Sequence, residues 1–164
     1  MKTDWIIIGW QTPGVLSRKD YAALQVIDSL LGSGMSSRLF KNLRDKDGLA
    51  YQLGSQYSPN ALKGAFIVYI GTNPENLNYA QSRMLEEVFR LKKEFVGSKE
   101  LQEAKDKLLG HYIIGQETNL DKATTIGWFE ASGRGYKFDD QYAQLINSVT
   151  AVSYTHLRAH ETGA

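Results

Sequence analysis

Between Leu31 and Tyr51 the chain has little freedom in how it folds. The run LGSGMSSRLFKNLRDKDGLAY has to end one helix, turn, form a second short helix and stop again before a strand. Tyr21, Leu24, Ile27, Leu30 and Leu31 recur at helical spacing, and Gly32 and Gly34 stand directly behind them as stop and turn. Ser17 is the expected N-cap of that first helix, with Asp20 three positions on. Ser36 or Ser37 then caps a short helix carrying Arg38, Leu39, Leu43 and Arg44, and Gly48 terminates it. The segment thus delivers Arg44 and Tyr51 seven positions apart.

The rest of the chain alternates clear strand and helix signals. Trp5–Trp10 is rich in β-branched and aromatic residues and reads as a buried, interior strand that stops at Gln11–Gly14. Leu49–Tyr57 and Ala65–Ile70 read as an antiparallel hairpin around the turn residues Ser58, Pro59, Asn60 and Gly64. Asn73-Pro74-Glu75 opens a long helix whose stripe is Leu77, Ala80, Met84, Val88, Leu91 and Phe95, ending near Gly97. Ser98 opens the next, striped by Leu101, Ala104, Leu108 and Tyr112, and two more helices are expected near Glu117–Ser132 and Asp139–Ser148. The order predicts an α+β fold: a two-layer α/β sandwich with a β-α-β-β-α-α core, an antiparallel sheet and additional C-terminal helices.

Bulk properties exclude several functions. A chain of 164 residues with 42% hydrophobic content can bury a substantial core as one domain. Nineteen basic and eighteen acidic residues are interspersed and leave a net charge of +1, so neither nucleic acid nor an anionic membrane is expected as a partner. The absence of cysteine removes disulfides, thiolate catalysis and Cys-based zinc sites. Trp5–Trp10 is too short for a membrane span and lacks a signal-peptide layout, which leaves cytoplasm and periplasm both open.

Arg44 and Tyr51 are the candidate functional residues. A guanidinium stays charged and offers a fixed fork of donors, and a phenol is a neutral donor at neutral pH, so together they can grip and polarise a peptide group. Spacing alone is better served by a surface arginine at a helix end and a tyrosine opening a strand. Gly32-Ser33-Gly34 has no Lys-Ser or Lys-Thr at the offset a phosphate cradle needs, and reads as a tight helix-to-helix turn. His156 and His160 stand one helical turn apart with Glu161 behind them, a pair that could ligate zinc but has no evident third ligand. His111 stands alone. Glu75, Glu86, Glu87, Glu94, Glu100 and Glu103 are interleaved with basic residues as on solvated helix faces. Trp5, Trp10, Phe66, Tyr69 and Phe95 read as core, while Trp128 and Phe129 are ambiguous.

Leu31-Gly-Ser-Gly34, Ser36-Ser-Arg-Leu-Phe40, Leu43-Arg44, Gly48-Leu-Ala-Tyr51, Gly71-Thr-Asn-Pro-Glu75 and Val149-Thr150 together resemble the C-terminal, non-zinc-binding half of the M16 zinc metallopeptidases, the pitrilysin and mitochondrial-processing-peptidase group. The resemblance implies a LuxS/MPP-like metallohydrolase fold over residues 1–151, N-terminally truncated because family domains begin with a further strand and helix, with self-association expected of the uncovered surfaces. It also implies that Arg44 and Tyr51 act as catalytic and substrate-binding residues, reaching into an active site whose zinc and general base belong to a partner. That partner is the zinc-binding N-terminal domain or subunit, and the substrate is a peptide. The family's His-x-x-Glu-His motif is absent, so this chain is expected to bind no metal and to be inactive alone. The alternative the family offers is a non-catalytic scaffold or processing partner. Residues 152–164 depart from the family pattern and resemble a translated sequencing adapter, so they are expected to be a non-native or disordered tail.

Overall fold

The β-branched run from Trp5 to Trp10 forms the middle of strand β1 (Asp4–Pro13) in the computed structural model, which describes residues 2–151. The tail from Val152, with His156, His160 and Glu161, lies outside the described residues. Strands β2 (Gln52–Pro59) and β3 (Lys63–Thr72) form the expected hairpin around Asn60–Leu62, and the sheet is antiparallel in the order β1-β3-β2. The pairing registers place Ile6, Ile8 and Trp10 of β1, Phe66, Val68 and Ile70 of β3, and Leu53 and Tyr57 of β2 on one face. That face meets the helices and forms the core.

β1 is an edge strand, which corrects the expectation of an interior one. Trp5 is 50% and Ile7 65% exposed, because they point to the face that carries no helix. A continuous apolar run signals strand but cannot tell a two-sided burial from a one-sided one. On the helix-free face, bulky residues lie across glycines. Trp5 is paired with Gly71, Tyr69 with Gly54 and Ile67 with Gly9, each near enough that an added Cβ would press on the neighbouring side chain. Trp5 and Tyr69 meet with ring centroids 6.2 Å apart.

Helix α1 (Arg18–Leu31) buries Tyr21, Leu24, Val26, Leu30 and Leu31. Ser17 occupies the N-cap position, but its hydroxyl donates to the Asp20 carboxylate and makes no cap bond to the backbone. Helix α2 (Leu77–Lys93) follows a 3-10 turn at Pro74–Asn76 and buries Ala80, Met84 and Glu87. It ends before Phe95, which is 79% exposed and not part of the core as the stripe predicted. Helix α3 (Ser98–Ile114) lays Leu101 and Ala104 against the core. Helix α4 (Asn119–Ala131) starts with a capping box between Thr118 and Asp121. Helix α5 (Asp139–Asn147) completes the layer. α4 and α5 attach through aromatic contacts: Phe129 on Phe138 at 4.8 Å, Tyr112 stacked on Tyr142 at 3.9 Å, and Tyr21 edge-on to both Phe138 and Tyr142.

Candidate functional site

The short helix after Gly34 is wound more loosely than its sequence indicates. Arg38 and Leu39 are α-helical, and Phe40–Lys46 continues as a π-helix. Such wide turns are uncommon and occur chiefly as single turns, frequently at functional sites. Leu39 and Leu43 point into the core and anchor the segment. Arg44, the next residue, is exposed, with its guanidinium carbon 4.8 Å from the Phe40 ring centroid.

The chain leaves this helix through Gly48, whose φ of 64° is costly for any residue with a Cβ. That reversal brings the Leu49 N–H back to the Leu43 carbonyl at 2.8 Å and the Gly48 N–H to the Arg44 carbonyl at 3.2 Å. Leu49 is buried, and its own carbonyl accepts from the fully buried Thr72 hydroxyl at 2.6 Å. Tyr51 precedes β2 by one residue, and its N–H extends the hairpin by donating to the Gly71 carbonyl at 3.0 Å. The phenol is 41% exposed and donates to Asn73 Oδ1 at 2.8 Å.

Asn73 therefore does not cap the helix it precedes; its side-chain oxygen is used by Tyr51. Arg44 and Tyr51 do not hydrogen-bond each other. They stand at the two ends of one closed turn, both open to solvent, on backbone tied to the core by Leu43, Leu49 and Thr72. The turn is also held from α2. Arg83 Nε donates to Asp47 Oδ2 at 2.8 Å, with both side chains less than one-fifth exposed, and Arg83 also pairs with Glu86. The Asp47 bond, with the Glu86 bond adding to it, holds the Arg83 guanidinium above its ordinary pKa. Arg83 carries no sequence motif, and only the fold brings Arg83 and Asn73 to the turn.

A second polar anchor lies beneath the Gly32–Gly34 loop. Lys107 of α3 donates to the carbonyls of Ser29 and Ser33 at 2.6 and 2.5 Å, where α1 itself has no basic residue in its last turn. Burial lowers the Lys107 pKa. Asp28 accepts from the Ser55 hydroxyl and, at 3.2 Å, from the Tyr57 N–H; burial, partly offset by these bonds, raises its pKa. Gly32 lies so close to β2 that a Cβ there would come within 2.0 Å of the Ser55 nitrogen. Gly34 turns with φ of 73°, and Ser37 Oγ donates to its carbonyl at 2.7 Å. These glycines serve chain reversal and close approach, with loop carbonyls turned toward an ammonium group.

The glutamates divide. Glu75, Glu86, Glu94 and Glu103 are exposed as expected, but Glu87 is 1% exposed and paired with Arg90, which corrects its reading as a solvated face. Glu100 receives both Nε and Nη2 of Arg38 at 2.7 Å, clamping the site helix to the start of α3. His111 is exposed on the last turn of α3. Among the described residues no group of three or more His, Cys, Asp or Glu side chains could hold a metal ion, and no helix is long and apolar enough to cross a membrane.

Residues 1–108 match the family model of the peptidase M16 inactive domain. The chain belongs to the M16 peptidase family. It is 31% identical over 126 residues to a Bacillus subtilis protein named uncharacterized zinc protease YmxG, covering 77% of this chain and 31% of that protein. It is 34% identical over 145 residues to an uncharacterized zinc protease of Streptomyces coelicolor, covering 87% of this chain and 31% of the other. Among solved structures, the M16 inactive domain from Pseudomonas fluorescens superposes with a TM-score of 0.85 at 20% identity, covering 96% of this chain and 38% of that one. A protease from Helicobacter pylori gives 0.80 at 25%, covering 95% and 37%. The M16 chain thus spans about a third of the length of the curated relatives it matches, and its fold is that of the inactive domain.

Proposed function

We propose that this M16 domain is the C-terminal, substrate-binding half of a zinc endopeptidase, with Arg44 and Tyr51 completing an active site whose zinc and general base lie on another domain or subunit. The observation that carries this reading is the pair itself: an exposed guanidinium resting on the Phe40 ring and an exposed phenol, on one rigidly anchored turn of an inactive-domain fold. Arg44 would hold the substrate backbone through its donor fork, and the Tyr51 hydroxyl would donate to the scissile carbonyl as negative charge develops on its oxygen. To do so the phenol must turn its single proton from Asn73 to the substrate, since one O–H donates one hydrogen bond at a time. Residues 1–151 are the unit assigned this role. The apolar helix-free face of the sheet, with Trp5, Ile7 and Tyr69, is also compatible with contact to a peptide or to the zinc-bearing half.

The test combines this chain with the zinc-bearing half and measures turnover of an internally quenched, unstructured peptide. Tyr51→Phe and Arg44→Ala are each expected to lower kcat/KM on the order of 100-fold, the scale for losing one positioned oxyanion donor. Undiminished turnover in both variants would overturn the reading. Tight assembly without hydrolysis by the unmodified pair would favour the scaffold instead.

A further inference from the structure

We infer that Arg83 on α2 is a positioning residue for Arg44, acting through its ion pair with Asp47. The inference rests on the substrate-binding reading of Arg44. Asp47 is the C-cap of the π-helical turn that carries Arg44, and its N–H closes that turn on the Asn42 carbonyl at 3.0 Å. The next residue is Gly48, the reversal that leads to Tyr51. Arg83 is 36 residues away in sequence and sits on a different element, yet Nε reaches Asp47 Oδ2 at 2.8 Å with 18% and 13% of the two side chains exposed. It is the cross-element ion pair made by this turn among the described residues. The other pairs of Arg83 and Arg90 are with Glu86 and Glu87 of α2 and with Glu94 at its C-cap.

A π-helical turn has poorer backbone packing than an α-turn and persists where surrounding contacts over-determine it. Leu43 fixes the inner side of this turn in the core, but Arg44 lies on the outer side, where no side-chain hydrogen bond of its own holds it. The charge-assisted bond from Arg83 fixes the end of the turn, and with it the direction in which the Arg44 side chain leaves the backbone. Displacements of about 1 Å at a substrate-positioning group can cost on the order of 100-fold in rate. α2 is a suitable brace. Asn73, just before the 3-10 turn that leads into α2, already accepts from the Tyr51 hydroxyl, so the segment running from Asn73 into α2 reaches both ends of the closed turn.

The experiment is a double-mutant cycle in the complete peptidase, this chain assembled with its zinc-bearing half, read with the same internally quenched peptide. Arg83→Ala is expected to lower kcat/KM roughly 10-fold, with Arg83→Lys recovering part of the loss. In an Arg44→Ala background Arg83→Ala should cost little more, because the group it positions is gone. Hydrogen exchange on the assembled protein should show lost protection confined to Asp47, Gly48 and Leu49 in Arg83→Ala. If Arg83→Ala unfolds the chain, Asp47→Asn, which weakens the pair with less change of shape, replaces it in the cycle. An equal loss in both backgrounds would overturn the positioning role and leave Arg44 as a substrate-binding residue. Full activity of Arg44→Ala would overturn the substrate-binding reading and this inference with it, even where exchange shows Arg83 anchoring the turn. Unchanged activity and exchange in Arg83→Ala, with Arg44→Ala impaired, would overturn this inference alone.

Discussion

Along β2, α1 sets Asp28 against Ser55 and Tyr57 and presses Gly32 onto the Gly54–Ser55 backbone, whereas β1 on the opposite side of the sheet pairs only with β3 and exposes Trp5 and Ile7. The β2 side also carries Tyr51 and the closed turn beneath Arg44. Polar anchors from α1, α2 and α3 converge there: Asp28, Arg83 and Lys107 each tie a different helix to this region. β1 has apolar side chains, backbone pairing and, at its last residue, the Tyr57 hydroxyl donating to the Pro13 carbonyl at 2.8 Å. The difference teaches that rigidity in this fold is concentrated where the candidate residues stand, while the β1 edge is left as surface that can pair with something else.

The largest effect is expected at Gly32. Gly32→Val puts side-chain atoms into the β2 backbone, where neither Ser55 N nor the Gly54 carbonyl carbon can yield without separating α1 from the sheet. A loss of roughly 3 kcal/mol is expected in chemical denaturation, and a change within a few tenths would show that α1 does not press on β2 as described.

Asp28 sharpens the same side. Asp28→Ala leaves the Tyr57 N–H and the Ser55 hydroxyl without their partner and is expected to cost about 2 kcal/mol. The pH dependence has a definite sign. Burial makes the carboxylate costlier in the folded chain than in the unfolded one, so the folded chain holds its proton to higher pH than the ordinary Asp value of 3.8. Between that value and the raised folded one the folded state binds more protons, and stability falls as pH rises through the window, then levels off above it. Denaturation curves collected across this range should show the fall in the parent chain and its absence in Asp28→Asn. A rise in stability attributable to Asp28 over the same window would contradict the buried placement.

The smallest effect on stability is expected on the open side. Ile7→Lys places a charge on an exposed edge-strand position and should change stability by no more than about 0.5 kcal/mol. It should nevertheless reduce self-association measured by light scattering, because edge charges oppose strand-to-strand pairing. If association persists unchanged, the contact surface lies elsewhere.

Much of this M16 domain was legible in its sequence. The helix stripe from Tyr21 to Leu31, the hairpin punctuated by Pro59 and Gly64, the Pro74 helix start and the Gly48 stop are local signals: periodicity and backbone preference act over a few residues and do not need the fold. Arg44 and Tyr51 stood out because a punctuated turn separates them and a family motif surrounds them. Burial is not a local signal. Trp5–Trp10 was a strand but not an interior one, Phe95 continued a stripe beyond its helix, and Glu87 was buried against Arg90 on a helix whose pattern read as solvated there.

What the sequence determined by itself, then, is the order of elements and the places where the backbone has to reverse, because those follow from side-chain shape, capping and glycine within one or two turns of chain. Only the tertiary structure decided which strand stands at the edge, that the site helix opens into a π-turn, and that Asn73 and Arg83 meet the turn between Arg44 and Tyr51. The last of these depends on contacts between residues 22 and 36 positions apart, whose energies exist only once the sheet and α2 have been brought together.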